Sequence, residues 1–251
     1  MELETLLAML PQTAVGMKRE IEEFLHQPIC IKMLDTDDFA GMCSIDEQGQ
    51  PSISVSMSLD ASVALSTLVH ELFHLQLRID GYPSGFFVGS KTPNPNRSWQ
   101  DFLINCTEEI KEITAHSLFF SKMREMALDT DSLESDFYRT SIDNGSFRTC
   151  QEWEQSLHFA RAQLELSDQN LVSELAGCLQ DHSRNIGLSI AEVIRTASIK
   201  SPKEYAITIC TALSVLLRPF GVSASFLDWQ IQPRGAYFQD QVGVVLIEPF
   251  T

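Results

Sequence analysis

Two histidines and a glutamate stand close together in the segment TLVHELFHL, residues 67–75. The pattern is HExxH, with His70 and His74 four residues apart and Glu71 directly after the first histidine. On an α-helix, residues four apart share one face with about 5–6 Å between their Cβ atoms, so both imidazoles can bind one metal ion. Zinc accepts histidine nitrogen, and a catalytic zinc site keeps one of its four positions for water. The metal lowers the pKa of that water towards ~7, and Glu71 is placed to accept its proton.

The helix that carries this motif is predicted from Ala61 to about Ile79. Asp60 is a suitable N-cap, and Gly81 is a suitable C-terminal stop. Apolar residues lie on nearly all sides of the helix, which is typical of a helix inside a domain. Burying two histidines and a glutamate there costs free energy unless they have partners. A metal site provides those partners, and a hydrogen-bonded core cluster is the alternative interpretation. Chance matches to HExxH are expected on the order of once in a hundred such chains.

A third metal ligand must come from elsewhere in the chain. Asp80 is a poor ligand, because an unbroken helix carries it about 9 Å along the axis from His74 and rotates it away. The next predicted helix begins near Ser98 or Asp101 and ends near Leu128. It offers three glutamates, Glu108, Glu109 and Glu112.

Glu112 is the preferred third ligand. A ligand helix must pack tightly against the motif helix, which favours a small residue near the carboxylate, and a polar group one turn later can hold a ligand imidazole. Glu112 is followed by Ala115 three residues later and by His116 four residues later. Glu108 is followed by Lys111 and Glu112 at the same spacings, so Glu108 remains the alternative.

A strand, an HExxH helix, a loop and a glutamate helix in this order resemble the zincin metallopeptidases whose third zinc ligand is a glutamate. Within them, LVHELFHLQL followed by EITAH (residues 112–116) resembles the ImmA/IrrE-like group, whose second helix carries Glu-x-x-Ala-Asn or a close variant. The resemblance covers residues 50–125. It implies His70, His74 and Glu112 as zinc ligands and Glu71 as general base. It also implies cleavage of a single regulator, such as a repressor, rather than broad digestion.

Two positions depart from that family pattern. Phe73 stands where Gly is common before the second histidine, and His116 stands where the family has Asn or Asp. A histidine at position 116 can act as an outer partner of the site or compete with Glu112 as a ligand. No family is recognised in residues 150–251.

Composition narrows the choice of partners and compartment. The chain has 251 residues with 18 Lys plus Arg against 34 Asp plus Glu, a formal charge of −16, and no basic cluster, so nucleic-acid binding is not expected.

Six scattered cysteines predict reduced thiols. The acidic N-terminus does not resemble a signal peptide, and the longest apolar run, Ala206 to Leu217, is too short to span a bilayer. We therefore expect a cytoplasmic protein without membrane contact, and its oligomeric state is left open.

The predicted fold class is α+β. A zincin-like metallopeptidase domain over residues 1–130 would pack a short sheet on the HExxH helix and the glutamate helix. Residues 82–99 are predicted to form a loop that gates a cleft, and residues 129–149 an acidic linker or exposed excursion. Residues 150–251 are predicted as a helical region ending in strands, with a regulatory or substrate-binding role. Its elements are expected as helices near 152–166, 171–184, 189–198 and 202–217, followed by two or three strands around 225–232, 236–239 and 242–248.

The leading functional hypothesis is a zinc-dependent metallopeptidase that hydrolyses a peptide or protein substrate. The alternative is a catalytically silent zincin-like scaffold that binds a partner or senses a ligand. The presence of Glu71 favours catalysis, because a silent scaffold has no need to retain that carboxylate. Four side chains outside the motif are candidates for stabilising a developing oxyanion: Tyr138, Arg139, His158 and His182.

Overall fold

The computed structural model describes residues 2–36, 39–91 and 97–250 and shows an α+β protein. The chain forms two compact units, each assembled from separate stretches of sequence. Unit 1 comprises Met1–Ser84, Phe119–Thr130 and Ile231–Gln241. Unit 2 comprises Gly85–Leu118, Asp131–Gln230 and Val242–Thr251. Neither unit is a continuous segment of the chain, and the division into domains at residues 130 and 150 stays a prediction.

Unit 1 packs helices against a three-stranded sheet. The sheet has the order β1-β3-β2, with β1 parallel and β2 antiparallel to the central β3. The next helix after the sheet, α3, packs on β2, β3 and α2. The elements are α1 (Leu3–Ala8), α2 (Gln12–Leu25), β1 (Cys30–Leu34), β2 (Gly41–Ile45), β3 (Pro51–Ser56) and α3 (Ala61–Ile79).

Local sequence accounts for β3 and α3. In β3, Ile53 and Val55 alternate with serines and are fully buried, as the period of two predicts. The Asp60 side chain caps α3 by accepting hydrogen bonds from the backbone N–H groups of Ser62 and Val63. After α3 ends, Gly81 adopts a φ of 86°, a conformation that favours glycine. The predicted bounds of the motif helix are therefore confirmed.

Unit 2 is mainly helical and contains most of the second sheet, which has the order β4-β6-β5 with β4 parallel to β6. The stretch Ile231–Gln241, in which β5 ends and β6 begins, belongs to unit 1. The long helix α4 supplies residues to both units, because its last turns from Phe119 belong to unit 1. The elements are β4 (Gly85–Ser90), α4 (Arg97–Glu125), α5 (Ser132–Asp143), α6 (Glu152–Glu165), α7 (Gln169–Cys178), α8 (Asp181–Thr196), α9 (Pro202–Leu217), β5 (Val222–Arg234) and β6 (Phe238–Pro249).

The predictions of a loop at 82–99 and of a linker at 129–149 are wrong in part, because both segments contain regular secondary structure. Within the predicted loop 82–99, residues 85–90 form β4, because pairing with the distant β6 buries Phe86 and Val88. Residues 92–96 of that loop lie outside the described residues. The predicted linker 129–149 contains α5 and a 3₁₀ turn at residues 146–149, and it buries Tyr138 and Phe147 in a core with residues of α6 and α7.

The helices predicted in the C-terminal region are present with shifted ends, and those predicted at 171–184 and 189–198 are α7 and the longer α8. The strand predicted at 225–232 lies within β5. Separate strands at 236–239 and 242–248 are wrong, because the single strand β6 extends from Phe238 to Pro249. All six cysteines are thiols rather than disulfides, as predicted, and burial raises the pKa of Cys210 to about 12. Among the described residues, no helix combines the length and the apolar character that a bilayer-spanning segment needs.

Candidate metal centre

The two motif histidines converge on one point beside α3. Nε2 of His70 and Nε2 of His74 lie 2.9 Å apart, and the ring centroids are 4.7 Å apart. Both side chains are partly buried. The arrangement follows from the spacing, because residues four apart share one helix face.

Aromatic rings from the end of α4 hold these imidazoles in place. The ring of Phe119 meets both histidine rings edge to face, with centroid distances of 5.3 Å to His70 and 5.2 Å to His74. Phe120 lies 5.8 Å from His70. Phe119 also stacks on Phe73, the residue directly before the second histidine of the motif. The motif therefore carries an aromatic residue that packs against a second aromatic ring.

A third histidine joins the first two. His116, one turn before Phe119 on α4, forms a cluster with His70 and His74 in which one nitrogen of each ring lies within 4.8 Å of the other two. The three histidines are close enough to bind one metal ion. His116 is buried, whereas the two motif histidines are partly exposed.

The donor set fits zinc. Zinc takes histidine nitrogen at about 2.0–2.1 Å, so two nitrogens of a tetrahedral site lie roughly 3.3 Å apart. The pair His70 and His74 needs to open by only a few tenths of an ångström from its 2.9 Å separation. Three histidines plus one open position also match a known type of catalytic zinc site. Imidazole binds copper, iron and nickel as well, so three histidines that are close enough to bind a metal ion do not select which ion that is.

Glu112, the predicted third ligand, lies beside His116. Its Oε2 is 3.8 Å from Nε2 of His116, and its Oε1 is 3.2 Å from Nζ of Lys111. Lys111 also binds the alternative ligand Glu108 at 2.6 Å. Burial lowers the pKa of Lys111, but Glu112 and Glu108 outweigh it and hold that pKa above its ordinary value. A ligand role for Glu112 stays a prediction, and its carboxylate adds negative charge close to His116.

Glu71 is buried against the edge strand β2. A Cβ placed on Gly41, the first residue of β2, would lie 3.1 Å from Oε1 of Glu71 and 2.3 Å from Cγ2 of Thr67. Only glycine therefore fits at position 41 without displacing these side chains. The close approach places the Glu71 carboxylate beside the outer strand of the sheet.

His116 has a buried carboxylate partner from the C-terminal region. Oε1 of Glu165, at the end of α6, lies 2.7 Å from Nδ1 of His116, and Glu165 is 2% exposed. Arg161, one turn earlier on α6, approaches Glu165 at 3.9 Å and binds Glu109 at 2.9 Å and Glu134 at 3.2 Å.

The candidates for oxyanion stabilisation have other contacts. The Tyr138 hydroxyl is used in the core of unit 2, where it donates a hydrogen bond to the carbonyl oxygen of His158. Burial lowers the pKa of His158, which favours a neutral ring. Arg139 pairs with Asp168 at 3.0 Å, and His182 is exposed on α8.

Asp80 is not part of the cluster. It is the C-cap residue of α3 and accepts a hydrogen bond from the Gln76 side chain. This agrees with the prediction that Asp80 is a poor ligand.

Two residues of the site are not singled out by the sequence. In sequence, Phe119 is one more apolar residue of α4. Glu165 follows His116 by 49 residues and lies beyond the segment that resembles zincins. The one sequence signal for Glu165 is that a glutamate stands among apolar positions of α6. Its neighbours Ala162 and Leu166 are buried.

Comparisons of the chain with protein-family models, with curated proteins and with solved structures gave no match. Function is therefore inferred from the residues of the site and from their geometry.

Proposed function

We propose that the protein is a zinc-dependent peptidase in which His70, His74 and His116 hold the metal ion and Glu71 is the general base. The observation that carries the proposal is the three-histidine cluster formed around an HExxH motif. Three ring nitrogens within 4.8 Å of one another are close enough to bind a single metal ion.

His70, His74 and His116 would hold the zinc ion, which when bound would supply a Lewis acid for the scissile carbonyl and lower the pKa of the attacking water. Glu71 accepts one proton from that water while the water oxygen bonds to the carbonyl carbon. The carbon–nitrogen bond then breaks, and Glu71 returns the proton to the leaving amine. The carboxylate thus moves one proton and is regenerated in each cycle.

Strand β2 supports a peptide as the substrate. It is an outer strand of its sheet, and Gly41 at its start lies against Glu71. An extended peptide can pair with the edge of a sheet through main-chain hydrogen bonds. A peptide bound along β2 passes the Glu71 carboxylate, which is the group that has to reach the scissile bond.

The charge near the cluster also suits a divalent cation. Glu112 lies 3.8 Å from His116, and Lys111 offsets part of its charge. If Glu112 ligates in place of His116, the proposed reaction is unchanged, because the zinc still has three protein ligands.

A peptide library incubated with the zinc-loaded protein tests the proposal. Mass spectrometry should detect cleaved peptides, and a chelator should abolish the products. A protein that binds zinc at this site and cleaves no peptide would instead support the silent scaffold.

A further inference from the structure

One carboxylate of the C-terminal region contacts a histidine of the metal centre. Nδ1 of His116 and Oε1 of Glu165 lie 2.7 Å apart, which is hydrogen-bond distance. A carboxylate oxygen accepts, so Nδ1 is the donor in this pair. In the neutral imidazole, a proton on Nδ1 leaves Nε2 as the nitrogen that can coordinate a metal ion.

We propose that Glu165 is a positioning residue of the metal centre, which fixes the tautomer and the ring orientation of His116 so that Nε2 binds the metal. This inference rests on the proposed function, since it takes His116 as a ligand. Histidines that bind metals generally donate their second ring N–H to a carboxylate, a carbonyl or water, and such partners raise the basicity of the ligand.

The surroundings of Glu165 make it a firm support for the ring. Its side chain is 2% exposed, so water does not compete effectively for the carboxylate. Arg161 lies 3.9 Å away on the same helix, and its other nitrogens are occupied by Glu109 and Glu134. The Arg161 guanidinium therefore fixes the end of α6 through its ion pairs with Glu109 and Glu134. Oε1 of Glu165 keeps its hydrogen bond with His116.

Through this contact, residues 150–251 take part in the chemistry of the site. Glu165 ends α6, which belongs entirely to that region. Because the carboxylate acts on a metal ligand, the metal affinity of the site depends on a part of the chain that has no resemblance to zincins. A core salt bridge without this role would change the stability of the fold and leave the affinity of the folded protein unchanged.

The test measures zinc affinity of the full chain by competition with a chelator, for the wild type and for Glu165→Ala, Glu165→Gln and Asp168→Asn. We expect Glu165→Ala to weaken zinc binding by about 10–100-fold. Glu165→Gln should weaken it less, because an amide oxygen still accepts from Nδ1 without the charge. Asp168→Asn is the control, since it removes a carboxylate from Arg139 in the same region of the chain, does not involve Arg161 or Glu165, and should leave the affinity at the wild-type value.

Nitrogen-15 NMR of histidine-labelled, zinc-loaded protein adds a readout that stability does not affect. His116 should carry its proton on Nδ1 and exchange it slowly in the wild type, and exchange should be fast in Glu165→Ala. The inference is overturned if Glu165→Gln binds zinc with wild-type affinity while His116 carries its proton on Nε2. This result would overturn it even if the wild type cleaves peptides. Weakened binding in a protein that cleaves nothing would support Glu165 and overturn the peptidase.

Discussion

The ring of Phe73 lies parallel to the ring of Phe119, with 5.0 Å between the centroids and 1° between the planes. Phe73 is inside the HExxH motif on α3, and Phe119 is on α4, one turn after His116. Both rings are buried, and Phe119 also meets the edges of the His70 and His74 rings. The stack joins the two helices at the level of the motif and so limits how the imidazoles can turn.

Removing the Phe119 ring should therefore cost stability. Phe119→Ala is expected to lower the free energy of unfolding by about 3–5 kcal/mol, the usual range for a fully buried phenylalanine. Urea unfolding in the presence of a chelator measures this without a contribution from bound metal. Phe87→Ala, at a ring that is 45% exposed, is the control and should cost far less. Equal losses in the two variants would contradict the role assigned to the stack.

The contact between β2 and α3 can be probed at Gly41. Gly41→Ala places a methyl group 2.3 Å from Cγ2 of Thr67, so the strand must move, and we expect a loss of about 1–3 kcal/mol. Thr67→Ser removes that Cγ2 atom, and adding it to Gly41→Ala should restore part of the stability in the same unfolding measurement.

Gly177→Ala is the matched control for Gly41→Ala. A Cβ at position 177 meets nothing within 4 Å, and the residue lies in α7. Alanine there should stabilise the protein by about 0.5–1 kcal/mol through its higher helix propensity. A Gly41→Ala protein as stable as the wild type would show that β2 does not lie against Thr67.

The third ligand is decided by comparing His116→Ala with Glu112→Ala. If His116 ligates, its removal should weaken zinc binding by several orders of magnitude, whereas Glu112→Ala should weaken it by about tenfold through the lost charge. Chelator competition measures both, with Glu108→Ala as the control for a carboxylate that binds Lys111. The opposite order would give the ligand role to Glu112.

The motif helix is predictable because everything that defines it is local. The cap at Asp60, the apolar residues along α3 and the turn at Gly81 lie within one short stretch, and helical spacing alone brings His70 and His74 together. The same reasoning predicts most helices of the C-terminal region.

Features that depend on distant partners are not predictable in this way. Strand β4 forms because β6, far along the chain, pairs with it, whereas the glycines within the segment indicate a loop. Glu165 reaches His116 only through the packing of α6, and no spacing in the sequence relates the two. The choice between Glu112 and His116 depends on side-chain positions one helical turn apart, which helical periodicity cannot separate.

The role of Glu71 is tested by Glu71→Gln, which keeps the size of the side chain and removes its basicity. We expect bound zinc to be unchanged and turnover of a cleaved peptide to fall by about 10²–10⁴-fold, the usual contribution of a general base. Zinc content and the initial rate are measured on the same preparation. Retained turnover with full zinc would remove Glu71 from the mechanism.

The most direct test of the metal centre is the zinc content of the purified protein after saturation and removal of excess metal. The wild type should hold one zinc ion per chain, and His74→Ala should hold far less, because a site with two histidines loses most of its affinity. His182→Ala, at an exposed histidine on α8, should match the wild type. Equal zinc in the wild type and His74→Ala, or none in either, would contradict a metal centre at these histidines.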